Sequence, residues 1–418
     1  MLLGVIADDL TGATDVALML KREGMRVVQC AGAPDRDRPL PEADAVVVAL
    51  KSRTAPVAEA VEQSLASARA LLAAGAKQLM FKYCSTFDST DRGNIGPVAE
   101  ALMVETGARS AVFCPAFPAN KRTVFQGHLF VGDLLLSDSP MRDHPVTPMR
   151  DANLVRVLGR QTAARVGLIP YAVIEQGPDA IAAAIAAQEK PGPVMLICDA
   201  VSDRHLRDLG AALRGAPFLT GGSGIAMGLP ANFGFSADGA QAQAMHAPQG
   251  RQLVLAGSCS EATRRQVAAA IEAGLPAFKL DPLAAEPLAS QAEEALRWLA
   301  RQPDAAPAVI YATAAPDAVD AAKQALGADR AGAEVERALG RIAMGAVEAG
   351  TRRLLVAGGE TSGAVVAALG VTVLEIGPEI APGVPWTRSI GAPDLALALK
   401  SGNFGGESFF LNTLAQLH

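Results

Sequence analysis

The sequence has few aromatic residues, few histidines and no excess of positive charge. Phenylalanine, tryptophan and tyrosine make up 4% of the 418 residues, and there are five histidines. Because half of the residues are hydrophobic, the core must consist mainly of alanine, valine, leucine and isoleucine, as in α/β enzymes. The net charge of −6 excludes a basic surface for nucleic acid or for an anionic membrane. We therefore expect a small-molecule partner, no nucleic acid and no membrane.

Cysteine is also scarce, and its spacing excludes two common frameworks. The five cysteines contain no C-x-x-C pair, so the sequence predicts neither a disulfide framework nor a zinc knuckle. The histidines form no pair at metal-ligand spacing, and the metal ligands therefore stay unknown. No apolar run approaches the length of a membrane span, and the first residues enter a predicted strand without a basic or apolar leader. We expect a cytoplasmic protein with reduced thiols.

Strand-like apolar runs alternate with helical patterns along most of the chain, which predicts parallel sheets covered by helices. A length of 418 residues favours two domains. The polar stretch SADGAQAQAMHAPQG has no periodic apolar face and is the best linker candidate. We predict an α/β fold in which residues 1–235 and 251–418 each form a largely parallel sheet covered by helices, joined by a linker at 236–250. The predicted strands are Leu3–Ala7, Ala45–Leu50, Gln78–Phe81, Ser110–Cys114, Val194–Cys198, Leu253–Ala256, Ala308–Ala312, Leu354–Ala357 and Val371–Ile376.

Two adjacent carboxylates end the first predicted strand. The run GVIADDLTGATD places Asp8 and Asp9 between this strand and a helix predicted from Ala13 to Arg22. Two negative charges disfavour a phosphate at this turn, whereas an ionised aspartate accepts hydrogen bonds from hydroxyl groups or takes a proton from one. The turn is therefore a candidate acceptor site. The alternative is that one of the two aspartates only caps the helix.

Polar segments also follow other predicted strands of the first half, where the ligands of open α/β sheets bind. They are KSRT, KYCSTFDSTDRGNIG and CPAFPANKRTV, together with Asp199. The second segment is the richest, because its cations could hold a carboxylate and its other groups a set of hydroxyls. The alternative is a solvated loop in which Asp88 or Ser89 caps the next helix. The polar residues of this loop are Lys82, Ser85, Thr86, Asp88, Ser89 and Arg92.

The second half contains two strand–turn–helix units whose turns consist of small residues. LVLAGSCSEATRRQV has Gly257, Ser258 and Ser260 at its turn, and RLLVAGGETSGAVVAAL has residues 358–363. Backbone N–H groups at such helix starts bind phosphate, although tight turns also use glycine and serine for steric reasons. The later run LKSGNFGG adds a turn that could lie against a nucleotide. These patterns predict a nucleotide-binding domain.

Taken in order along the chain, these motifs resemble the four-carbon acid sugar kinase family over the whole sequence. The resemblance implies that the first domain binds an acid sugar, that the second binds ATP, and that the active site lies in the interdomain cleft. Acceptor contacts then fall on Asp9, Arg53 and the Lys82–Ser89 loop, to which we add Asp8, Arg92 and Asp199 by extrapolation. Within the loop we select Lys82, Ser85, Asp88 and Ser89. Nucleotide contacts fall on Ser258, Gly359, Glu360, Thr361, Ser362 and Gly402, to which the turn reading adds Gly358.

The expected reaction is phosphoryl transfer from ATP, with Mg²⁺ inferred from the reaction type, to the C4 hydroxyl of a four-carbon sugar acid. Arg53, through two parallel hydrogen bonds, and Lys82 would hold the C1 carboxylate. Asp9, or its neighbour Asp8, would orient or deprotonate the hydroxyl. Within this resemblance, the loop form KYCSTFDST implies a 3-oxo-tetronate as the acceptor, with threonate or erythronate as the alternatives.

Two other function classes, an oxidoreductase and a binding protein, are alternatives to a kinase. A nicotinamide-dependent oxidoreductase would need a dinucleotide fingerprint where ADDLTGA stands. A non-catalytic, two-lobed sugar-acid-binding protein remains open, as does a homo-oligomer.

Overall fold

The protein divides into two structural units. The computed structural model describes residues 1–34, 40–144, 147–190, 192–237, 245, 248–304 and 306–416. Contacts between Cα atoms separate the chain into Met1–Gln241 and Ala242–His418. This division falls within the predicted linker at 236–250, most of which lies outside the described residues.

The first unit consists of a parallel sheet with helices packed against it. Its strands lie in the order β2-β3-β1-β4-β11-β5-β10-β9, and β6, β7 and β8 form a separate antiparallel sheet. The strands are β1 Leu3–Ala7, β2 Val27–Ala31, β3 Ala45–Ala49, β4 Gln78–Lys82, β5 Ser110–Cys114, β6 Arg122–Phe125, β7 His128–Val131, β8 Leu134–Leu135, β9 Arg165–Ile169, β10 Val194–Cys198 and β11 Phe218–Gly221. The helices are α1 Leu10–Arg22, α2 Val57–Ala73, α3 Ile95–Thr106, α4 Leu154–Gly159, α5 Tyr171–Ile174, α6 Pro178–Glu189 and α7 Asp203–Ala212.

The second unit has a mixed sheet, mostly parallel, in the order β13-β14-β12-β15-β18-β17-β16. Strand β17 runs antiparallel to both of its neighbours, β16 and β18. The strands are β12 Arg251–Ala256, β13 Ala277–Lys279, β14 Ala308–Tyr311, β15 Thr351–Ala357, β16 Val373–Ala381, β17 Val384–Ser389 and β18 Ala396–Lys400. The helices are α8 Glu261–Glu272, α9 Leu288–Ala300, α10 Pro316–Leu326, α11 Ala328–Glu348, α12 Gly359–Ala368 and α13 Phe409–Gln416. The α/β fold class predicted from the sequence is confirmed.

The register of the first sheet brings three loops to one edge. Every residue of β1, β3 and β4 is buried, as expected of parallel strands that helices cover on both faces. Ala7 of β1 lies opposite Ala49 of β3 and Lys82 of β4. The residues that directly follow these strands therefore begin side by side.

Helix α1 begins earlier than the sequence pattern predicts. It starts at Leu10 rather than Ala13, because Asp9 is its N-cap and accepts a hydrogen bond from the Gly12 N–H. Asp9 therefore caps α1 through Oδ1.

Candidate functional site

Four charged side chains form a cluster at the carboxyl end of β1, β3 and β4. We call Asp8, Asp9, Arg53 and Lys82 the strand-edge cluster. Arg53 binds Asp8 through Nε and Nη2 at 2.9 and 2.8 Å, and its Nη2 also donates to Asp9 Oδ1 at 2.7 Å. Lys82 Nζ lies 3.7 Å from the same Asp9 oxygen. Two carboxylates and two cations thus balance each other in a largely buried site.

Asp9 is ionised throughout the physiological pH range. Burial by itself would raise its pKa, but Arg53, Lys82 and hydrogen bonds from Thr11 and Gly12 outweigh it and lower the pKa to about 2. Its Oδ2 accepts a hydrogen bond from Thr11 Oγ1 at 2.9 Å, whereas Oδ1 receives the Arg53 and Gly12 donors. A carboxylate oxygen has two acceptor positions, so Oδ2 can also accept a hydroxyl group.

Gly12 permits the close approach within the cluster. A Cβ atom at this position would lie 1.8 Å from Lys82 Nζ and 2.2 Å from Asp9 Oδ1. Any larger residue would therefore separate the lysine from the aspartate. The fold therefore requires a glycine at this position of ADDLTGATD for steric reasons, which the sequence alone does not reveal.

The expected grip of Arg53 on a substrate carboxylate requires a correction. Its Nε donates to Asp8, and its Nη2 donates to both Asp8 and Asp9. A two-bond grip needs two adjacent nitrogens of the fork, and these donors are already used. The Arg53 nitrogen that can still donate hydrogen bonds to a ligand is Nη1, and the Arg53 side chain is 24% exposed.

The loop after β4 mainly holds the cluster in place. Asn94 donates from Nδ2 to the backbone oxygens of Ser52, Arg53 and Ala55 at 2.7, 3.4 and 3.2 Å, which fixes the KSRT loop. Gln161 donates to Ser89 Oγ at 2.8 Å. The buried Ser89 is thus a packing contact of the loop. Asn94, and not the nearby Arg92, positions Arg53.

Three predicted acceptor residues of the loop have different surroundings. Ser85 is half-buried, and Asp88, also half-buried, accepts a hydrogen bond from Thr86 Oγ1 at 2.6 Å. Arg92 is exposed and takes part in no hydrogen bond or ion pair found among the described residues. The structure therefore does not bring Arg92 into the strand-edge cluster.

Asp199 has a structural role rather than the acceptor role suggested by its place after a strand. Its carboxylate is buried and accepts three backbone N–H groups, from Gln126, Gly127 and Tyr171, each at 2.8 Å. These bonds fix the start of helix α5 and the turn between β6 and β7. The expectation for Asp199 is wrong.

Asp15 is a buried carboxylate next to the cluster that the sequence reading missed. It lies on α1 with 6% of its surface exposed, and its Oδ1 has no hydrogen-bond partner in the described part of the chain. Burial raises its pKa to about 6, against the opposing effect of Lys82. In the sequence, the signal for this buried carboxylate is the run GATD, which places a charged residue in a mostly apolar helix.

In the second unit, the two predicted Gly/Ser turns line one cavity of about 440 Å³. Ser258, Gly358, Gly359, Glu360 and Thr361 lie at its wall. Small and apolar side chains contribute much of the remaining lining, including Leu283, Ala312, Ala318, Val319, Ala322 and Val335, and four charged residues complete it: Lys279, Asp281, Lys323 and Glu336. The cavity therefore combines backbone-rich turns with an apolar surface of the kind that receives a planar base.

The N-terminus of α12 points backbone donors toward this cavity wall. Its N-cap is Gly358, and no side chain among the described residues caps the helix. The first N–H groups of a helix have no acceptor within the helix, and together with the helix dipole they attract anions. Gly358 has a φ of 132°, which favours glycine. The turn therefore has the form of a phosphate cradle.

Two predicted nucleotide residues lie away from the cavity lining. Ser362 is fully buried, and its Oγ has no hydrogen-bond partner in the described ranges. Gly402 packs against the first turn, since a Cβ there would lie 2.4 Å from Ser258 Oγ. The structure thus joins Gly402 to Ser258 and leaves Ser362 behind the cavity wall.

Two kinds of feature are absent from the described residues. No group of three or more histidine, cysteine, aspartate or glutamate side chains is arranged to hold a metal ion in those ranges. In the same part of the chain, no helix has the length and apolar character that a membrane crossing requires.

Comparisons with known proteins cover nearly the whole chain. Residues 3–229 match a family domain described as a sugar-binding N-terminal domain, and residues 253–410 match a nucleotide-binding C-terminal domain. A 3-oxo-tetronate kinase of Cupriavidus necator is 55% identical, over 100% of this chain and 97% of the relative. The chain belongs to the four-carbon acid sugar kinase family. A second relative, the 3-oxo-tetronate kinase of Salmonella typhimurium LT2, is 44% identical over 98% of this chain and 97% of its own length.

Solved structures agree with this membership. A crystal structure from Salmonella typhimurium LT2, described as a suggested tRNA synthase, has a TM-score of 0.88 at 44% identity, and the match covers 100% of this chain and 99% of that one. A Haemophilus influenzae protein has a TM-score of 0.80 at 41% identity, with coverage of 99% and 100%. For this acid sugar kinase, the strand-edge cluster lies within the sugar-binding match and the cavity within the nucleotide-binding match.

Proposed function

We propose that the protein is a 3-oxo-tetronate 4-kinase, which transfers the γ-phosphoryl group of ATP to the C4 hydroxyl of a four-carbon 3-oxo sugar acid in carbohydrate acid catabolism. The observation that carries the proposal is the strand-edge cluster, which offers an open carboxylate oxygen beside two cations. Such a site suits a ligand that contains both hydroxyl and carboxylate groups. The names of the full-length relatives support the 3-oxo acid as the acceptor.

In this proposal, Asp9 orients the C4 hydroxyl. A carboxylate with a pKa of about 2 is a weak base near neutral pH, because a general base is most effective when its pKa is close to the working pH. Phosphoryl transfer passes through a loose transition state that requires in-line positioning more than early removal of the proton. Oδ2 of Asp9 would therefore accept the hydroxyl hydrogen bond and aim the oxygen at the phosphorus.

The two cations of the cluster would bind the C1 carboxylate and fix the orientation of the substrate. Arg53 would do so through Nη1, since its other nitrogens bind the aspartates. Lys82 would add charge from its buried position next to Asp9. Ser85 and Asp88 remain proposed contacts at the half-buried surface of the loop.

The nucleotide would occupy the cavity of the second unit. The adenine base would pack against the apolar lining, and the phosphates would accept hydrogen bonds from the 358–361 turn and from Ser258. We propose that Mg²⁺ enters as part of the Mg–ATP substrate, because magnesium in such reactions is bound largely by phosphate oxygens and water. We also propose a cytoplasmic location, on the basis of five free cysteines.

A coupled ADP-release assay with Mg–ATP and a panel of four-carbon acids tests the proposed function. The panel contains freshly prepared 3-oxo-tetronates, threonate and erythronate, and phosphorus NMR of the product locates the new ester. We expect acid-dependent ADP release, with kcat/KM at least tenfold higher for a 3-oxo acid and with phosphate on C4. A higher kcat/KM for threonate or erythronate would replace the proposed acceptor. Tight acid binding without ADP release would instead indicate a non-catalytic binding protein.

A further inference from the structure

Lys400, the last residue of β18, is a buried lysine that the mechanism above does not use. Its surface is 0% exposed. Nζ donates to the backbone oxygen of Gly402 at 2.9 Å and to Thr263 Oγ1 at 3.0 Å. A neutral amine has two N–H donors and an ammonium has three, so these two acceptors match the neutral form.

The charge state of Lys400 depends on burial, which lowers its pKa to about 7. No ion pair between Lys400 and an acidic side chain occurs within the described residues, and burial is the cause of the shift. A cation in this position would therefore lack a counter-charge from the protein. The charged groups on the elements around it are Glu261, Arg264, Arg265 and Glu272 of α8, Arg352 and Arg353 of β15, Glu360 of α12 and Arg388 of β17.

Lys400 also links the turns that form the proposed phosphate cradle. Its backbone oxygen accepts the N–H of Gly358, the N-cap of α12, at 2.9 Å. The Gly402 oxygen that its side chain binds also accepts Ser260 Oγ at 2.6 Å, and Gly402 lies against Ser258. Lys400 therefore contacts the turn before α12 directly and is connected to the other Gly/Ser turn through Gly402.

We propose that Lys400 is a positioning residue for the nucleotide phosphates, neutral in the free protein and protonated when a nucleotide binds. The amine takes one proton from solvent, and the phosphates supply the counter-charge that the protein lacks. In a buried site this attraction is screened less than in water, so the bound nucleotide shifts the amine toward its ammonium form. The inference rests on the proposed function only in requiring a nucleotide in this cavity.

Calorimetric titration with ADP at pH 8.0, in two buffers of different ionisation enthalpy, counts the protons taken up on binding. At this pH the terminal phosphate has already lost its proton, because its pKa is about 6. Lys400, with a pKa of about 7, is then mostly neutral. We expect the parent protein to take up at least half a proton per ADP bound.

Three variants assign the proton to Lys400. Lys400→Gln keeps two N–H donors but does not titrate, and Lys400→Met has neither property. We expect both to lose the proton uptake, with ADP affinity about tenfold weaker in Lys400→Met and less affected in Lys400→Gln. Lys323→Met removes a lysine from the cavity lining and should keep the uptake.

The outcomes separate the inference from the proposed function. If the parent binds no ADP, the proposed function fails and the inference fails with it. If ADP binds without proton uptake, or if folded Lys400→Gln keeps the uptake, the inference alone is overturned. The proton count of the parent protein provides this test even when a variant does not fold.

Discussion

The strand-edge cluster and the nucleotide cavity use opposite electrostatic designs. In the first unit, Asp8, Asp9, Arg53 and Lys82 neutralise each other within a few ångströms. In the second, glycine and serine turns present backbone dipoles, and the buried Lys400 next to these turns lacks an acidic partner among the described residues.

This difference follows from the ligands that we propose. A hydroxy acid needs an acceptor for its hydroxyl and a donor for its carboxylate, so both signs of charge must be present and held apart. A polyphosphate carries several negative charges, which backbone N–H groups can bind. Unlike charged side chains, these dipoles need no counter-ion when the site is empty. The comparison predicts that changes in one region affect one ligand only.

The largest effect is expected from Arg53→Ala. Loss of a charge-assisted contact to a carboxylate removes about 1.5 to 3 kcal/mol, which lowers kcat/KM for the acid by roughly 10- to 150-fold. The melting temperature should fall as well, because Asp8 would stay buried without its partner. Steady-state kinetics at saturating ATP and a melting curve measure both effects.

Arg69→Ala is the matched control for this change. Arg69 binds Glu105 through the same two nitrogens, Nε and Nη2, although both donate to Oε2 and the pair lies on the exposed surface of the first unit. Its replacement should leave kcat/KM within threefold of the parent. An equally small change for Arg53→Ala would remove Arg53 from the acceptor site.

The second effect concerns Asp15 and the pH dependence of stability. The folded pKa of about 6 lies above the unfolded value near 3.9, so the unfolded chain releases this proton first. The contribution of Asp15 is therefore present below pH 4 and is lost as the pH rises through 6. Asp15→Asn should gain about 2 to 3 kcal/mol of stability relative to the parent between pH 4 and 7.

Urea unfolding at several pH values measures this difference, with Asp133→Asn as an exposed control. A constant difference between the parent and Asp15→Asn across this range would show that Asp15 carries no unfavourable charge.

A smaller effect is expected from Gly12→Ala. The added Cβ would collide with Lys82 Nζ and Asp9 Oδ1, and such overpacking removes about 1 to 3 kcal/mol. We expect kcat/KM for the acid to fall about tenfold, with an unchanged KM for ATP. Gly159→Ala is the control, since its Cβ would have nothing within 4 Å. If the two variants behave alike, the close approach of Lys82 to Asp9 does not serve the acceptor site.

The smallest effect belongs to the nucleotide side. Gly358→Ala forces a side chain onto a φ of 132° and places its Cβ 2.8 Å from Thr361 Oγ1. We expect the KM for ATP to rise about fivefold, roughly 1 kcal/mol, while the KM for the acid stays constant. Gly363→Ala, in the same helix with open space around it, should match the parent. If only the KM for the acid rose, the turn would contribute to acid binding and not to nucleotide binding, against the prediction.

The sequence predicted several strands rich in β-branched residues, but it missed β2, VVQCA, and strands that tertiary contacts stabilise. AVVVA and VMLIC are strands at Ala45–Ala49 and Val194–Cys198, as their branched, fully buried residues indicate. ALALK, in contrast, consists of residues that favour helices but forms β18, because β15 and β17 pair with it on either side. Strand β17 contains Pro385, which argues against a strand when the sequence is read alone.

The candidate site was predictable in position but not in its contacts. Carboxylates and glycines at strand ends indicate where ligands bind, since local patterns determine where strands stop. Arg53 and Asp8 are 45 residues apart in the sequence and meet because β1 pairs with β3, and Asn94 reaches the KSRT loop across 42 residues. Burial of Asp15 and Lys400 likewise depends on the completed fold, which composition and spacing do not encode.

The central claim, one ligand for each region, is tested most directly by calorimetric titration of two variants with two ligands. Arg53→Ala and Gly358→Ala are each titrated with ADP and with a fresh 3-oxo-tetronate, beside the parent protein. The account predicts that Arg53→Ala loses affinity for the acid and keeps that for ADP, while Gly358→Ala shows the reverse. Weakened ADP binding in Arg53→Ala with unchanged acid binding would contradict it.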